Sequence, residues 1–412
     1  MKKKMRIIVL LSFFFWVFMG QRMLVTAQNA PWKIRHVSVQ KSKQEWQNSF
    51  GETTETDLIR DFKESLDYSE IQNAIDDIQV DMLDGNQFQF QKYVEGFLSG
   101  EKTFHMKTIL GDLGSAFLGQ LNRERSSIIQ LVAIAIIASV FTSFTNVFKS
   151  SHIAETGFYV TYLLLFTLLT ATFYKISGIA STTLGSLLDF MKALLPTYAV
   201  GIAFCTGSKT SMVFYETTLG IITVANLVLI RILLPLINVY FVLLLANNIM
   251  KEDMLSKMSE LLEKIISWSL KTLLAAVIGI NVIQGLIVPV SDQVKKSVLL
   301  KTAQAIPGVG NTMRVATESI LQASVLIKNA IGVAGLLVIV AICIVPIIKL
   351  VIYQLIYSFG AAIVQPISDK RIINCIHATA KSAKLLMSVV MISAVLFLFT
   401  IVIVTSTTNL AT

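Results

Sequence analysis

ICIVPIIKLVIYQL, residues Ile342–Leu355, places a proline and then a lysine three positions later inside one of the most apolar runs of the chain. Two related phrases lie upstream: RILLPLINVYFVLL at Arg231–Leu244 and KALLPTYAVGIAF at Lys192–Phe204. Proline lacks the amide hydrogen that a helix interior needs, and its ring crowds the carbonyl four residues back. Pro196, Pro235 and Pro346 are therefore candidate helix breaks. Each could mark a kink or the end of a membrane span, or open a helix onto a polar path through the membrane.

Composition puts these phrases in lipid. The chain has 412 residues, of which 54% are hydrophobic and 15% charged, against roughly 25% charged in a soluble domain. Mean hydropathy is +0.67. Charge is unevenly spread: residues 28–126 carry 11 Lys/Arg against 16 Asp/Glu, and residues 127–412 carry 19 against 10. An acidic, soluble-looking region thus precedes a basic, lipid-soluble one. The three cysteines, Cys205, Cys343 and Cys375, all fall in the apolar part with no metal-ligand spacing, so they read as small buried apolar side chains.

The N-terminus, MKKKMRIIVLLSFFFWVFMGQRMLVTAQ, has a basic start, an apolar core from Ile7 to Gly20 and a small-residue motif at Val25–Ala27. That pattern predicts a signal peptide over residues 1–27, cut between Ala27 and Gln28, with an uncleaved anchor as the alternative. Either way, residues 28–126 are expected outside the cytoplasm. Within them Ile71, Ile75, Ile78 and Met82 recur at helical spacing, and Ser69 with Gln72 suggests a capping box. Phe90, Tyr93 and Phe97 lie in a second short amphipathic segment expected to pack among these helices or on the membrane. No paired carboxylates single out an active site, so this domain reads as a docking or packing unit.

Residues 127–412 read as an all-α polytopic membrane domain of seven to nine spans, because lipid offers no partner for an unpaired backbone group. The segments are Ile128–Phe148, Phe158–Tyr174, a broken region Ile176–Phe204, Val213–Ile230, Ile232–Met250, Leu270–Val290, Ile331–Ile348, Leu350–Val364 and Leu386–Thr405. KEDMLSKMSELLEKIISW and SDKRIINCIHATAKSAKLL are amphipathic and are expected to lie in the interface or to cover a bundle. Residues 291–328 and 368–384 are both net basic and favour the cytoplasm. Placing both there requires Ile331–Val364 to be a there-and-back hairpin that turns at Pro346 and Lys349. A weak internal echo relates the segments around Pro235 and Lys271 to those around Pro346 and Lys384.

No cofactor, metal or nucleic-acid motif emerges. GIAFCTGSKT has the wrong spacing and context for a phosphate loop, and His36, His105, His152 and His377 stand alone. Ionisable residues in or beside spans are the better leads, since a charge at mid-bilayer costs about 2.5–3.5 kcal/mol on insertion scales. Asp189, Glu216, Arg231 and Lys349 are the candidate intramembrane polar positions, joined by Lys271. For Arg231 and Lys349 the plainer reading is a side chain snorkelling from a span end.

The signal peptide, the acidic helical region and the phrases ALLP, ILLP and IVQPISDKR together resemble the stage III sporulation protein AE family of endospore-forming bacteria, over essentially the whole chain. The resemblance implies a non-enzymatic membrane subunit without cofactors, made in the mother cell and seated in the membrane around the forespore. It implies partners among the membrane proteins encoded with it, in a secretion-like channel that supports late forespore sigma-factor activity after engulfment. Residues 28–126 would then face the intermembrane space. The alternative is a stand-alone secondary transporter for a small solute, using Glu216, Arg231 or Lys349.

Overall fold

The computed structural model describes residues 68–78, 89–98, scattered positions between 119 and 136, and 151–409 apart from short connecting stretches. The cleavage site Ala27–Gln28 and most of the first expected span, Ile128–Phe148, lie outside the described residues. Among the described residues every regular element is helical: α1 Ser69–Asp77, α2 Phe90–Leu98, α3 Ser151–Thr206, α4 Ser208–Val228, a π turn Leu229–Leu233, α5 Leu234–Ile249, α6 Ser256–Gln304, α7 Gly310–Val364 and α8 Lys370–Asn409.

The eight apolar segments expected after the first merge into five continuous rods. Those long and apolar enough to cross a membrane are Tyr162–Ala203, Ser211–Asn248, Ser256–Gln284, Gln322–Val364 and Lys370–Ser406. The prolines do not end helices: Pro196 lies inside α3 and Pro346 inside α7. In an apolar setting, carrying a helix through proline forfeits one hydrogen bond, whereas stopping it would strand several backbone groups. Pro235 is accommodated differently. The turn before it widens, and the Leu234 amide donates to the Leu229 carbonyl five residues back, which relieves the crowding a proline ring imposes on a regular turn.

Continuity of α7 overturns the hairpin. A helix running from Gly310 to Val364 carries the chain in one direction through Pro346 and Lys349. The two basic stretches, 291–328 and 368–384, therefore lie at opposite ends of α7. Loop-charge counting failed because it took a mid-helix proline for a turn.

The rods form an up-and-down bundle around α8, which packs on α3, α6, α7 and the α4–α5 rod. The ion pair of Lys381 with Glu263, at 2.6 Å, and the hydrogen bond from Asn281 to Thr400, at 3.0 Å, hold α6 and α8 parallel. Each therefore follows a proline-bearing rod and runs the same way, as a repeated two-rod unit would. Asp369 starts α8 by accepting the Arg371 amide at 2.8 Å, the N-cap role of a short acceptor side chain. Tyr162, Phe173, Tyr240, Phe241 and Leu386 fill the buried core, with Phe173 and Phe241 stacked at 3.9 Å.

The outside of the bundle is apolar. Leu163, Val213, Val239, Met258, Leu261, Ile265, Phe359 and Val402 all point outward, far more exposed apolar surface than a soluble protein tolerates. This explains the amphipathic stretches. From Ser256 onward KEDMLSKMSELLEKIISW is the start of α6, with Met258, Leu261 and Ile265 facing out while Ser259 and Ile266 are buried. SDKRIINCIHATAKSAKLL becomes the start of α8, burying Ile372, Cys375 and Ile376.

The compact unit that holds these rods begins at Glu55, so α1 and α2 belong to it; α1 packs on α3 and α2 on α7. Ile71 and Ile75 are buried as their spacing predicts. The capping box does not form: Tyr68 is the N-cap residue and no side chain caps α1. Gln72 instead caps the next helix, its Oε1 accepting the Phe90 amide at 2.9 Å, while its amide nitrogen donates to Asp76 at 2.9 Å. Tyr68 and Phe90 close the contact with rings 5.8 Å apart. Burial, aided by Glu95, pushes the Tyr68 hydroxyl from 10.0 up to about 12. Because the folded value is raised, the stabilisation is complete below pH ~10 and is lost as pH climbs through the folded value. A spectrophotometric titration should show a tyrosine ionising near pH ~12 together with loosening of α1 and α2.

Candidate functional site

The sharpest polar feature inside the rods is a junction of α3, α7 and α8 centred on Lys328. Lys328 is fully buried, and its ammonium donates to the Thr405 carbonyl at 3.3 Å. Thr405 spends its hydroxyl hydrogen on the Ile401 carbonyl at 2.8 Å, so Tyr198 donates to it at 2.6 Å. A cation set against the last turns of α8 meets the partial negative charge of a helix C-terminus.

Small residues let these helices approach. A Cβ on Gly332 would stand 2.8 Å from Thr405 Oγ1, one on Gly335 2.8 Å from Leu194 Cδ2, and one on Gly201 3.7 Å from the Lys328 backbone. Ser324, Lys328 and Gly332 fall at four-residue intervals, one face of a helix. Cys205 adds its thiol, donating to the Gly201 carbonyl at 3.5 Å. Nearby, Ser211 of α4 donates to the Ala199 carbonyl of α3. The junction holds a cation, hydroxyls and carbonyls in a fixed arrangement, suited to locking helices and to setting charge within the membrane.

The candidates named from sequence are dispersed rather than gathered. Asp189 pairs with Lys192 at 3.4 Å on an outward-facing turn of α3. Glu216 on α4 and Arg231 in the π turn are exposed, and Lys349 is half-buried in α7. Lys271 is exposed on α6. Pro196, Pro235 and Pro346 sit on three different rods. Among the described residues no three His, Cys, Asp or Glu side chains come together as a metal site.

Two further polar features escaped sequence reading. Glu263 binds Lys381 and accepts from Tyr240 at 3.3 Å, tying α5, α6 and α8 at the end where α8 begins. Buried Thr218, Asn226, Asn281, Ser393 and Thr400 lie on α4, α6 and α8. Lys328 itself was counted as a loop charge. The legible signal was its place in SVLIKNAIGVAG, four residues from a serine and four from a glycine, where a charged loop residue would have no reason to share a small-residue face.

No solved structure matches the chain. The stage III sporulation protein AE of Bacillus subtilis (strain 168) is 23% identical over 315 residues, covering 76% of this chain and 79% of that protein. The family described as Stage III sporulation protein AE matches residues 88–408, from α2 to the last turn of α8. A match over most of the length, including every long rod, places this chain in the stage III sporulation protein AE family.

Proposed function

We propose that the chain is a non-enzymatic, multi-pass membrane subunit of a secretion-like channel linking mother cell and forespore, needed for late forespore sigma-factor activation. The observation that carries the proposal is the outward-facing apolar surface of five long rods in a chain of a sporulation family. Such a bundle is a lipid-embedded scaffold, and its partners are other membrane proteins of the same machine. Residues 28–126 face the intermembrane space, and α1 and α2, seated on α3 and α7, present that region to partners. The end carrying Lys370, Arg371, Lys381 and Lys384, the more densely basic of the two, then faces the cytoplasm, with the stretch 291–328 on the other side.

Purification of the tagged full chain from sporulating cells in mild detergent tests this. Stable co-purification with other sporulation membrane proteins is expected, together with a cytoplasmic signal from a reporter inserted between α7 and α8. A protein that purifies alone and takes up a solute by itself in liposomes would instead be the stand-alone transporter.

A further inference from the structure

Polar side chains in a lipid-embedded bundle are costly unless something satisfies them. One group of them is arranged in line. Ser382, Ser393 and Thr400 of α8 are fully buried and stand at intervals of 11 and 7 residues. At 3.6 residues per turn those intervals return to within about 20° of one line and rise ~27 Å, close to the ~30 Å depth of a bilayer's hydrocarbon.

The facing helices match this stripe level by level. Asn281 of α6 donates its amide to Thr400 at 3.0 Å. One turn further along α6, Gln284 donates to the Phe214 carbonyl of α4 at 3.5 Å; with Tyr240 of α5 opposite Glu263 of α6, the α4–α5 rod runs antiparallel to α6. One turn in from that pair, Thr218 comes level with Asn281 and Thr400. Two turns deeper, Asn226 on α4 comes level with Ser393 on α8. Among the described residues, Thr218 Oγ1, Asn226 Oδ1, Asn281 Oδ1, Gln284 Oε1, Ser382 Oγ and Ser393 Oγ are buried with no hydrogen-bond partner in the protein. Leaving such a group dry and unpaired is costly. These six share the facing surfaces of three helices.

We propose that this seam between the α4–α5 rod, α6 and α8 is a hydrated path, a file of bound water reaching through the membrane from the Glu263–Lys381 pair toward Gln284. The chemistry selects water over an ion. Between the apolar side chains of Val389 and Leu396, the polar groups of the lining are neutral amide oxygens, which need a donor, and hydroxyls, which both give and accept. Water satisfies both, at two to four bonds per molecule. The charged groups stand at one mouth, where Glu263, Lys381 and Tyr240 meet. The proposal rests on the membrane placement of the bundle and needs no particular partner.

Cysteine accessibility in proteoliposomes tests it, with Cys205, Cys343 and Cys375 replaced by alanine in the full chain. Single variants Ser393→Cys and Asn226→Cys place a thiol in the seam. Ile401→Cys places one in the packed face of α8 toward Gly335, and Val239→Cys one on the outward face of α5. A small charged methanethiosulfonate should modify the two seam thiols at least about 10-fold faster than the two controls. Seam thiols no faster than Ile401→Cys overturn the proposal. Rapid modification of Val239→Cys would instead show that the rods are not in lipid, and the membrane placement itself would fail.

The unsubstituted chain answers without any mutation. Radiolytic hydroxyl labelling oxidises side chains that touch bound water. It should mark buried Val389 and Leu396, which lie along the stripe, and spare buried Ile401. Equal protection of all three rejects the path.

Discussion

Gly332→Val is expected to lower the thermal stability of the detergent-purified chain by several degrees and to cut its accumulation in membranes. The site has no room. Even a Cβ there stands 2.8 Å from Thr405 Oγ1 and 3.5 Å from the Tyr198 hydroxyl, and a branched side chain must push α7 away from both α3 and α8. Overpacking of this kind costs about 1–3 kcal/mol. Displacing Thr405 also breaks its 2.6 Å bond with Tyr198, worth about 1 kcal/mol more. Alanine, whose single carbon meets only the end of a short side chain, should cost less than valine. Gly178 supplies the control: a Cβ there meets nothing within 4 Å, and Gly178→Ala should leave melting unchanged or slightly raised, since alanine favours helix over glycine by about 1 kcal/mol. Equal melting of Gly332→Val and Gly178→Ala would mean that α3, α7 and α8 do not cross at this point.

The second large effect is expected at Lys328, where charge and shape can be separated. Lys328→Glu places an anion in a buried site facing the Thr405 carbonyl and the C-terminal turns of α8. It loses the bond and adds repulsion from the helix end. Removing one member of a buried charged contact costs about 3–5 kcal/mol, and reversing its sign costs no less, so the variant should fail to accumulate. Lys328→Met keeps the unbranched stem and removes the ammonium, so it should fold and elute from size exclusion as the parent does. Any sporulation defect in Lys328→Met then reports on the charge itself. Full accumulation of Lys328→Glu would show that the ammonium is not held in the bundle.

Much of the architecture was legible in the residues, and each miss has a physical cause. The membrane class, the all-helical fold and the family followed from apolar runs, charge asymmetry and phrases such as ILLP. The burial of Ile71 and Ile75 followed from helical spacing. What failed was punctuation borrowed from water. There, a proline beside a lysine ends a helix; in lipid, Pro346 with Lys349 sits within α7. The stretch KEDMLSKMSELLEKIISW, expected in the interface or over a bundle, runs from Ser256 into a long rod, with Met258 and Leu261 turned out and Ser259 turned in. The capping box between Ser69 and Gln72 was a local pattern overridden by a tertiary one, since Gln72 does more for the fold by capping α2 from 18 residues away. Lys328 was hidden because loop-charge counting cannot distinguish a lysine at a water-facing end from one turned into a helix crossing.

The central position of α8 governs how the polypeptide matures. The post on which α3, α6, α7 and the α4–α5 rod lean is the last of the described helices to leave the ribosome. Until it arrives, the earlier segments sit in the insertion machinery with Thr183, Asn226 and Asn281 facing lipid or one another. Their final arrangement therefore waits on Lys370–Asn409, the helix that all of them share.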